Sequence, residues 1–278
     1  MDVEKNYLEL MNTLVHVAEA NAGQQVGSDD RILDGEGLAQ KFLAHALSAL
    51  YLYRATTIPE LRASFFDAAS ANVLVRAALE TFLAFHHVYH EPQTPAEQDG
   101  RYTSWVVAGL LDRQHFPPIS ADAKRIHESD RSRIEVLRTR LQESEYFRGL
   151  TKKQQGLVMR GRWRLRSWYD IARSAGLNEI HARSFYSYVC GYAHSGNLSV
   201  SQIRLAQTAA GQRSLFTGSM GEVLVAAANM IHAYCTVFPN ALAALAARPS
   251  GMHLVEIWMA VGQHGPEDVE WDVDEPGF

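Results

Sequence analysis

Apolar residues recur at spacings of three and four along nearly the whole chain, and no run alternates β-branched and polar residues between turn signals. The pattern predicts an all-α chain folded as a multi-helix bundle. Helices are expected over 2–20, 35–56, 59–90, 95–114, 120–147, 151–160, 167–175, 179–195, 199–209 and 214–238. The breaks have chemical causes. Pro59 suits a first helical turn, where its missing N–H has no helical partner to lose, and Glu91-Pro92 closes the same helix downstream. Pro117-Pro118 stops a helix, and Ser120 with Asp122 opens the next as an N-cap and an acid at the positive helix end. Gly176 and Gly196 stand where C-terminal caps belong.

Two segments depart from the amphipathic average. Residues 120–146 carry mixed charge with a thin apolar seam of Ile126, Ile134, Leu137 and Leu141, as an outer, solvated helix does. The stretch from Val223 to Ala247 has no Asp, Glu, Lys or Arg and is long enough to cross a bilayer. Asn229, His232, Pro239 and Asn240 interrupt it, and neither flank holds a basic cluster that would orient a span. A buried core helix ending near Phe238 and Pro239 is expected, with no membrane partner.

The chain has 278 residues, 26 basic and 31 acidic, for a formal net charge of −5. Such a balance gives no whole-protein cationic field for nucleic acid or anionic lipid, so any such contact needs a local patch. Six of the acids fall in HGPEDVEWDVDEPGF, which has no Lys or Arg. This predicts a single helical domain over 1–263 and an acidic, mobile tail over 264–278. Two cysteines, Cys190 and Cys235, cannot form a disulfide framework. Free thiols fit a reducing, cytoplasmic setting, and MDVEKNYLELMNTLVHVAEA lacks the basic start of an export leader.

Chemistry is suggested first by Arg76 and Glu80, the only formal charges besides histidine between Asp67 and Glu91. Their spacing of four gives an intrahelical pair worth about 0.2–0.5 kcal/mol, too little to place two charges on a core helix. Both are expected to meet polar groups from another helix, either as a structural network or as a functional site. The partner helix is expected in NEIHARSFYSYVCGYAHSGN, whose small-residue stripe lets a neighbour approach closely. There Tyr188 and His194 are the expected partners, with His194 able to serve as acid, base, ligand or helix cap. The predicted site is therefore Arg76, Glu80, Tyr188 and His194.

A second feature is basic. Arg148, Lys152, Lys153, Arg160, Arg162, Arg164 and Arg166 run without an intervening acid past Trp163. Arg160, Arg162, Arg164 and Arg166 could hold phosphates while Trp163 stacks on a base, or they could form an ordinary solvated loop. In HHVYHE, His86 and His90 share an ideal helix face beside Glu91. That set is short of the three or four ligands a zinc site needs, and HExxH, glycine-rich phosphate loops and paired CxxC are absent. No metal and no cofactor are expected.

The run RWRLRSWYDIARSAGLNEIHARSFYSYVCGYAHSG, with RAALETF upstream, resembles uncharacterised bacterial helical proteins related to the HEPN superfamily. The matched positions are Trp163, Ser167, Ala172, Gly176, Tyr186 and His194, with Arg76 and Glu80 upstream. The resemblance implies a HEPN-like core with additional helices, homodimerisation, an RNA or protein partner, and a place in bacterial defence or toxin–antitoxin systems. Some relatives cleave RNA without metal, using an Arg and a His four to six residues apart. Only Arg248 and His253 have that spacing here, so the chain departs from the ribonuclease pattern. Binding is thus the leading expectation; a ribonuclease or nucleotide-acting enzyme built on Arg76, Glu80 and His194 is the alternative.

Overall fold

A computed structural model describes residues 3–21 and 30–265. The expected tail lies, from residue 266 onward, outside the described residues, as does residue 2 of the first expected helix. The all-α, multi-helix reading holds: α-helices dominate the described residues, with one two-stranded hairpin among them.

Within the expected span 1–263 the described residues gather into two compact units. Unit 1 comprises residues up to His86 and from Trp168 onward; unit 2 comprises His87–Ser167. Unit 1 holds α1 (Val3–Glu19), α2 (Arg31–Tyr53), β1 (Thr56–Ile58), β2 (Ala63–Phe65) and α3 (Ala68–Phe85). A π-helical segment, His86–His90, carries the chain onward from α3. Unit 2 holds α4 (Pro95–Gln114), α5 (Ala121–Glu143), α6 (Glu145–Gly149) and α7 (Lys152–Met159). Unit 1 then resumes with α8 (Trp168–Ser174), a second π-helical segment (Ile180–Phe185), α9 (Tyr186–Ala193), α10 (Asn197–Leu205), α11 (Ala209–Val237), α12 (Pro239–Ala246) and α13 (Pro249–His264).

The centre of unit 1 is α11, which packs on α3, α13, α1 and α12. Its residues from Val223 to Ile231 are buried in an unbroken run, as a helix apolar on all sides requires. The stretches 68–90 and 209–237 are long and apolar enough to cross a membrane, yet 61% and 72% of an apolar 18-residue window within each is buried inside the protein. Core helices have this composition too. Polar bridges fix the packing: Ser219 Oγ donates to Asn72 Oδ1, and Asn72 Nδ2 donates to the Ala68 carbonyl at 2.8 Å, tying α11 to α3.

Two of the expected helices need correction. The helix expected from Pro59 begins at Ala68 instead, because β-branched Thr56-Thr57-Ile58 pairs antiparallel with Ala63-Ser64-Phe65 across the Pro59 turn. Arg62 closes that turn at φ 48°, and Asp67 caps α3 by accepting from the Ser70 N–H at 2.9 Å. The helix expected over 120–147 breaks at Ser144, whose extended backbone ends α5 while its side chain caps α6. Beyond the expected helices, α12 and α13 each open on a proline in the first turn.

Unit 2 has its own small core of Leu141, Phe147 and Val158, covered by Tyr146, Leu150, Met159 and Leu165. Gly100 is needed there, since a Cβ would stand 2.3 Å from the Tyr146 ring. As the sequence suggests, α5 is largely solvated: Ile134 and Leu141 are buried, whereas Ile126 lies exposed. Asp130 is the buried acid of α5, gripped by Arg113 through two hydrogen bonds of 2.5 Å.

Candidate functional site

The helices α3 and α9 pack side by side in unit 1, and the charges of α3 meet the polar face of α9. Arg76 Nε donates to Glu80 Oε1 at 2.9 Å, and the Tyr186 hydroxyl donates to the same oxygen at 2.7 Å. Arg76 Nη1 lies 3.1 Å from His194 Nε2, and the guanidinium carbon stands 5.9 Å from the Tyr186 ring centroid. Because a guanidinium only donates, His194 Nε2 is assigned as the acceptor in this contact. Tyr186, Cys190 and His194 follow one another at intervals of four, so α9 offers them as a single stripe to Arg76 and Glu80.

The expected meeting of two distant segments therefore occurs for Arg76, Glu80 and His194, but the phenol belongs to Tyr186. Tyr188 is the correction. Two residues further along a helix is a rotation of about 200°. Tyr188 accordingly turns away, donating to the Leu215 carbonyl at 3.1 Å and meeting the Tyr192 hydroxyl at 3.3 Å. The four-residue rhythm of 186, 190 and 194 was the signal for Tyr186.

Backbone geometry sets where His194 stands. It ends α9, with its N–H donating to the Cys190 carbonyl at 3.0 Å. Ser195 takes the left-handed conformation at φ 53°, and the Gly196 N–H reaches back to the Gly191 carbonyl at 2.7 Å. A Cβ on Gly196 would stand 3.3 Å from that carbonyl oxygen, so the tight return favours glycine.

The site is half-buried on α3 and open at its α9 end. Arg76 and Glu80 side chains are 22% and 28% exposed, and His194 is exposed. Burial alone would lower the Arg76 guanidinium, but Glu80 outweighs it, with Cys190 and Tyr186 adding, and holds Arg76 above its ordinary value. Burial raises the Tyr186 phenol, and its bond to Glu80 raises it further, so it remains a donor. Arg76 Nη2 and His194 Nδ1 have no partner among the described residues. Chemically, the arrangement offers a fixed cation with a free N–H, able to meet an anion, beside an accessible imidazole, able to accept or give a proton.

A family of unknown function, DUF5677, has a model that matches residues 44–209. The chain belongs to this family. The DUF5677 match takes in Arg76, Glu80, Tyr186 and His194 and ends at the first residue of α11. No curated protein and no solved structure matches the chain.

The DUF5677 span also contains unit 2 with the basic run, which divides on inspection. Arg160 and Arg162 are exposed, as a phosphate-binding surface requires. Arg166 instead donates to Glu91 Oε1 at 2.5 Å, and Arg164 Nη1 donates to the Arg166 carbonyl at 2.6 Å. The Trp163 ring lies 5.9 Å from that of His87, partly covered. Arg148, Lys152 and Lys153 are exposed as well, so five cations of the run face solvent and two are engaged within the protein.

Glu91 belongs to a network the sequence did not reveal. His87 stands four residues before Glu91 and so shares its face at ordinary helical spacing, with Nδ1 3.2 Å from Glu91 Oε2. Arg101 donates to the His87 carbonyl at 2.9 Å, to Glu91 Oε2 and, through Nη2, to Glu97 Oε1 at 2.5 Å. Its Nη1 also lies 2.8 Å from His87 Nδ1. Among the described residues no group of His, Cys, Asp and Glu is arranged to hold a metal ion.

Proposed function

We propose that this DUF5677 chain is a HEPN-like, cytoplasmic RNA-binding protein whose Arg76–His194 pair takes a backbone phosphate, and that it works in a bacterial defence or toxin–antitoxin setting. One observation carries the reading: an Arg76 guanidinium anchored by Glu80 yet keeping a free N–H, 3.1 Å from an exposed imidazole. Glu80 and the Tyr186 phenol fix the guanidinium plane before any ligand arrives, which lowers the ordering cost of binding. A phosphate oxygen would compete for Arg76 Nη1 and Nη2 and release His194 Nε2. The HEPN resemblance of the α9 segment supports RNA as the ligand and a homodimer as the assembly. Arg160 and Arg162 supply exposed positive charge within unit 2 for further phosphates.

The accessibility of His194 also favours a second reading, metal-independent RNA cleavage, in which the released imidazole takes a ribose hydroxyl proton while Arg76 stabilises phosphate charge. One set of measurements tests both. Fluorescence anisotropy with labelled single-stranded RNA reads binding, and gel analysis in EDTA reads cleavage, for wild type, Arg76→Ala and His194→Ala. Binding weakened tenfold or more by Arg76→Ala supports the phosphate site. Cleavage lost in His194→Ala with binding retained assigns catalysis. Binding unchanged in both folded variants removes the proposal.

A further inference from the structure

Unit 1 contains a cavity of about 460 Å³, bounded by the π-helical segment Ile180–Phe185, α11 and α13. Its size falls within the range of small-molecule pockets. Ile180, Phe185, Val225, Trp258 and Val261 give it apolar walls. Glu222 is one of its lining residues while only 3% exposed, an acid at the start of a run of α11 that is buried without a break to Ile231. Glu222 Oε2 meets His181 Nδ1 at 2.6 Å, and His181 is itself 8% exposed. Glu222 Oε1 is buried and has no hydrogen-bond partner among the described residues. A buried acceptor left in that state costs about 1–3 kcal/mol, which a ligand donor would recover.

The glycines of α11 add a second, independent mark. Gly218 and Gly221 line the cavity, and a Cβ built on either would meet nothing within 4 Å. Glycine in a helix interior costs about 1 kcal/mol relative to alanine. At these two positions that cost keeps space open in front of Glu222 without relieving any clash within the protein.

We propose that this cavity binds a small, largely apolar molecule through an uncharged N–H or O–H donor that Glu222 Oε1 accepts. The polarity of the ligand follows from the dyad. Burial raises the Glu222 carboxyl against the opposing pull of His181. At His181, burial pushes the imidazole down, but the Glu222 bond and the Val261 backbone outweigh it and raise it overall. Both shifts favour the protonated forms of the pair, a carboxylate with an imidazolium or a carboxyl with an imidazole, in which no net charge remains. An ammonium would add uncompensated charge to an apolar chamber, whereas a neutral donor completes the hydrogen bonding. The exposed His264 stands at the α13 end of the lining and is the other titratable group there. Glu222, Trp258 and the glycines lie beyond the DUF5677 match, so this site is separate in sequence from the Arg76–His194 pair.

The test uses the full chain with two probes of nearly identical shape, indole and benzofuran, the second having an ether oxygen where the first has N–H. Binding is followed by saturation-transfer NMR of the probe. Saturable indole binding, at least tenfold tighter than that of benzofuran, is expected. Gly221→Leu, which fills open space, should abolish binding of both probes with the thermal unfolding of the protein intact, and Gly218→Leu serves the same purpose if that variant does not fold. Glu222→Gln, which turns an amide toward the ligand, should reduce the preference for indole to less than threefold. No saturable indole binding by the wild type, equal binding of the two probes, or unchanged binding in a folded glycine variant would each overturn the proposal.

Discussion

Two clusters in this protein are made from the same three side chains and behave oppositely. In unit 2, Arg101 is 12% exposed, Glu91 is 16% exposed and His87 6%, and the guanidinium is spent on two carboxylates, a carbonyl and an imidazole nitrogen. In unit 1, Arg76 and Glu80 are about twice as exposed, and a guanidinium nitrogen and an imidazole nitrogen are left over. Arginine, glutamate and histidine in contact do not identify a site. What separates scaffold from site is whether the hydrogen-bonding capacity is saturated inside the protein.

The largest expected effect lies in the saturated cluster. Arg101→Ala leaves Glu91 to Arg166 and His87 and takes the ion pair from a partly buried Glu97, and should destabilise the protein by about 1.5–3 kcal/mol in urea unfolding. Arg101→Lys should recover only part of this, because one ammonium cannot replace a fork that reaches both carboxylates. Arg76→Ala, at a half-exposed i,i+4 pair, should cost no more than about 1 kcal/mol. Equal losses in the two alanine variants would erase the distinction between the clusters.

The next effect is on function. His194→Ala should change stability by no more than about 0.5 kcal/mol, since the side chain is exposed, while altering RNA binding or cleavage. A variant that loses most of its stability would return His194 to the role of a helix-end cap.

Why one cluster was legible in the sequence and the other was not has a physical answer. Arg76 and Glu80 drew notice as lone charges on an apolar helix, and such charges need partners from elsewhere, so a match to the small-faced α9 segment could be reasoned out. The error there was one of phase, Tyr188 for Tyr186, because residues two apart on a helix point nearly opposite ways. At HHVYHE the sequence reading weighs His86 with His90, whereas His87 and Glu91, equally four apart, are the pair that meets. Arg101 joins them from ten residues beyond Glu91, across a turn that no local spacing reports. Pro59 misled for a related reason: proline suits a helix start and a hairpin turn equally, and the β-branched triplet before it decided the outcome. The cavity at Glu222 depends on three elements distant in sequence, so no local spacing announces it.

A smaller effect separates the two parts of the basic run. Arg160→Ala with Arg162→Ala should reduce the salt slope of RNA binding by up to about 1.4, some 0.7 per single-strand phosphate contact, without changing stability. Replacing Arg166 as well should lower stability through Glu91, whatever its effect on RNA. An unchanged salt slope in the double variant would remove Arg160 and Arg162 from the interface.

The finest distinction is in pH. Burial lowers the His87 imidazole, and Arg101 and Arg166 lower it further against the opposing pull of Glu91. On acidification through about pH 6.5 the unfolded chain takes up a proton at this residue that the folded chain refuses. Stability is therefore lost as pH falls, and His87→Gln should lose less than wild type between pH 7.5 and pH 5.5 in urea titrations. His181 has the reverse sign: its raised imidazole gives stability that is complete below the ordinary histidine value and is lost as pH rises through the folded value. His181→Gln should accordingly remove a loss that sets in as pH rises above the ordinary histidine value. Two histidines of similar burial, each held to a glutamate, thus titrate in opposite directions because one also faces two guanidinium groups and the other faces none that moves it. Variant slopes of the same sign would show that burial alone, and not the neighbouring charge, governs both.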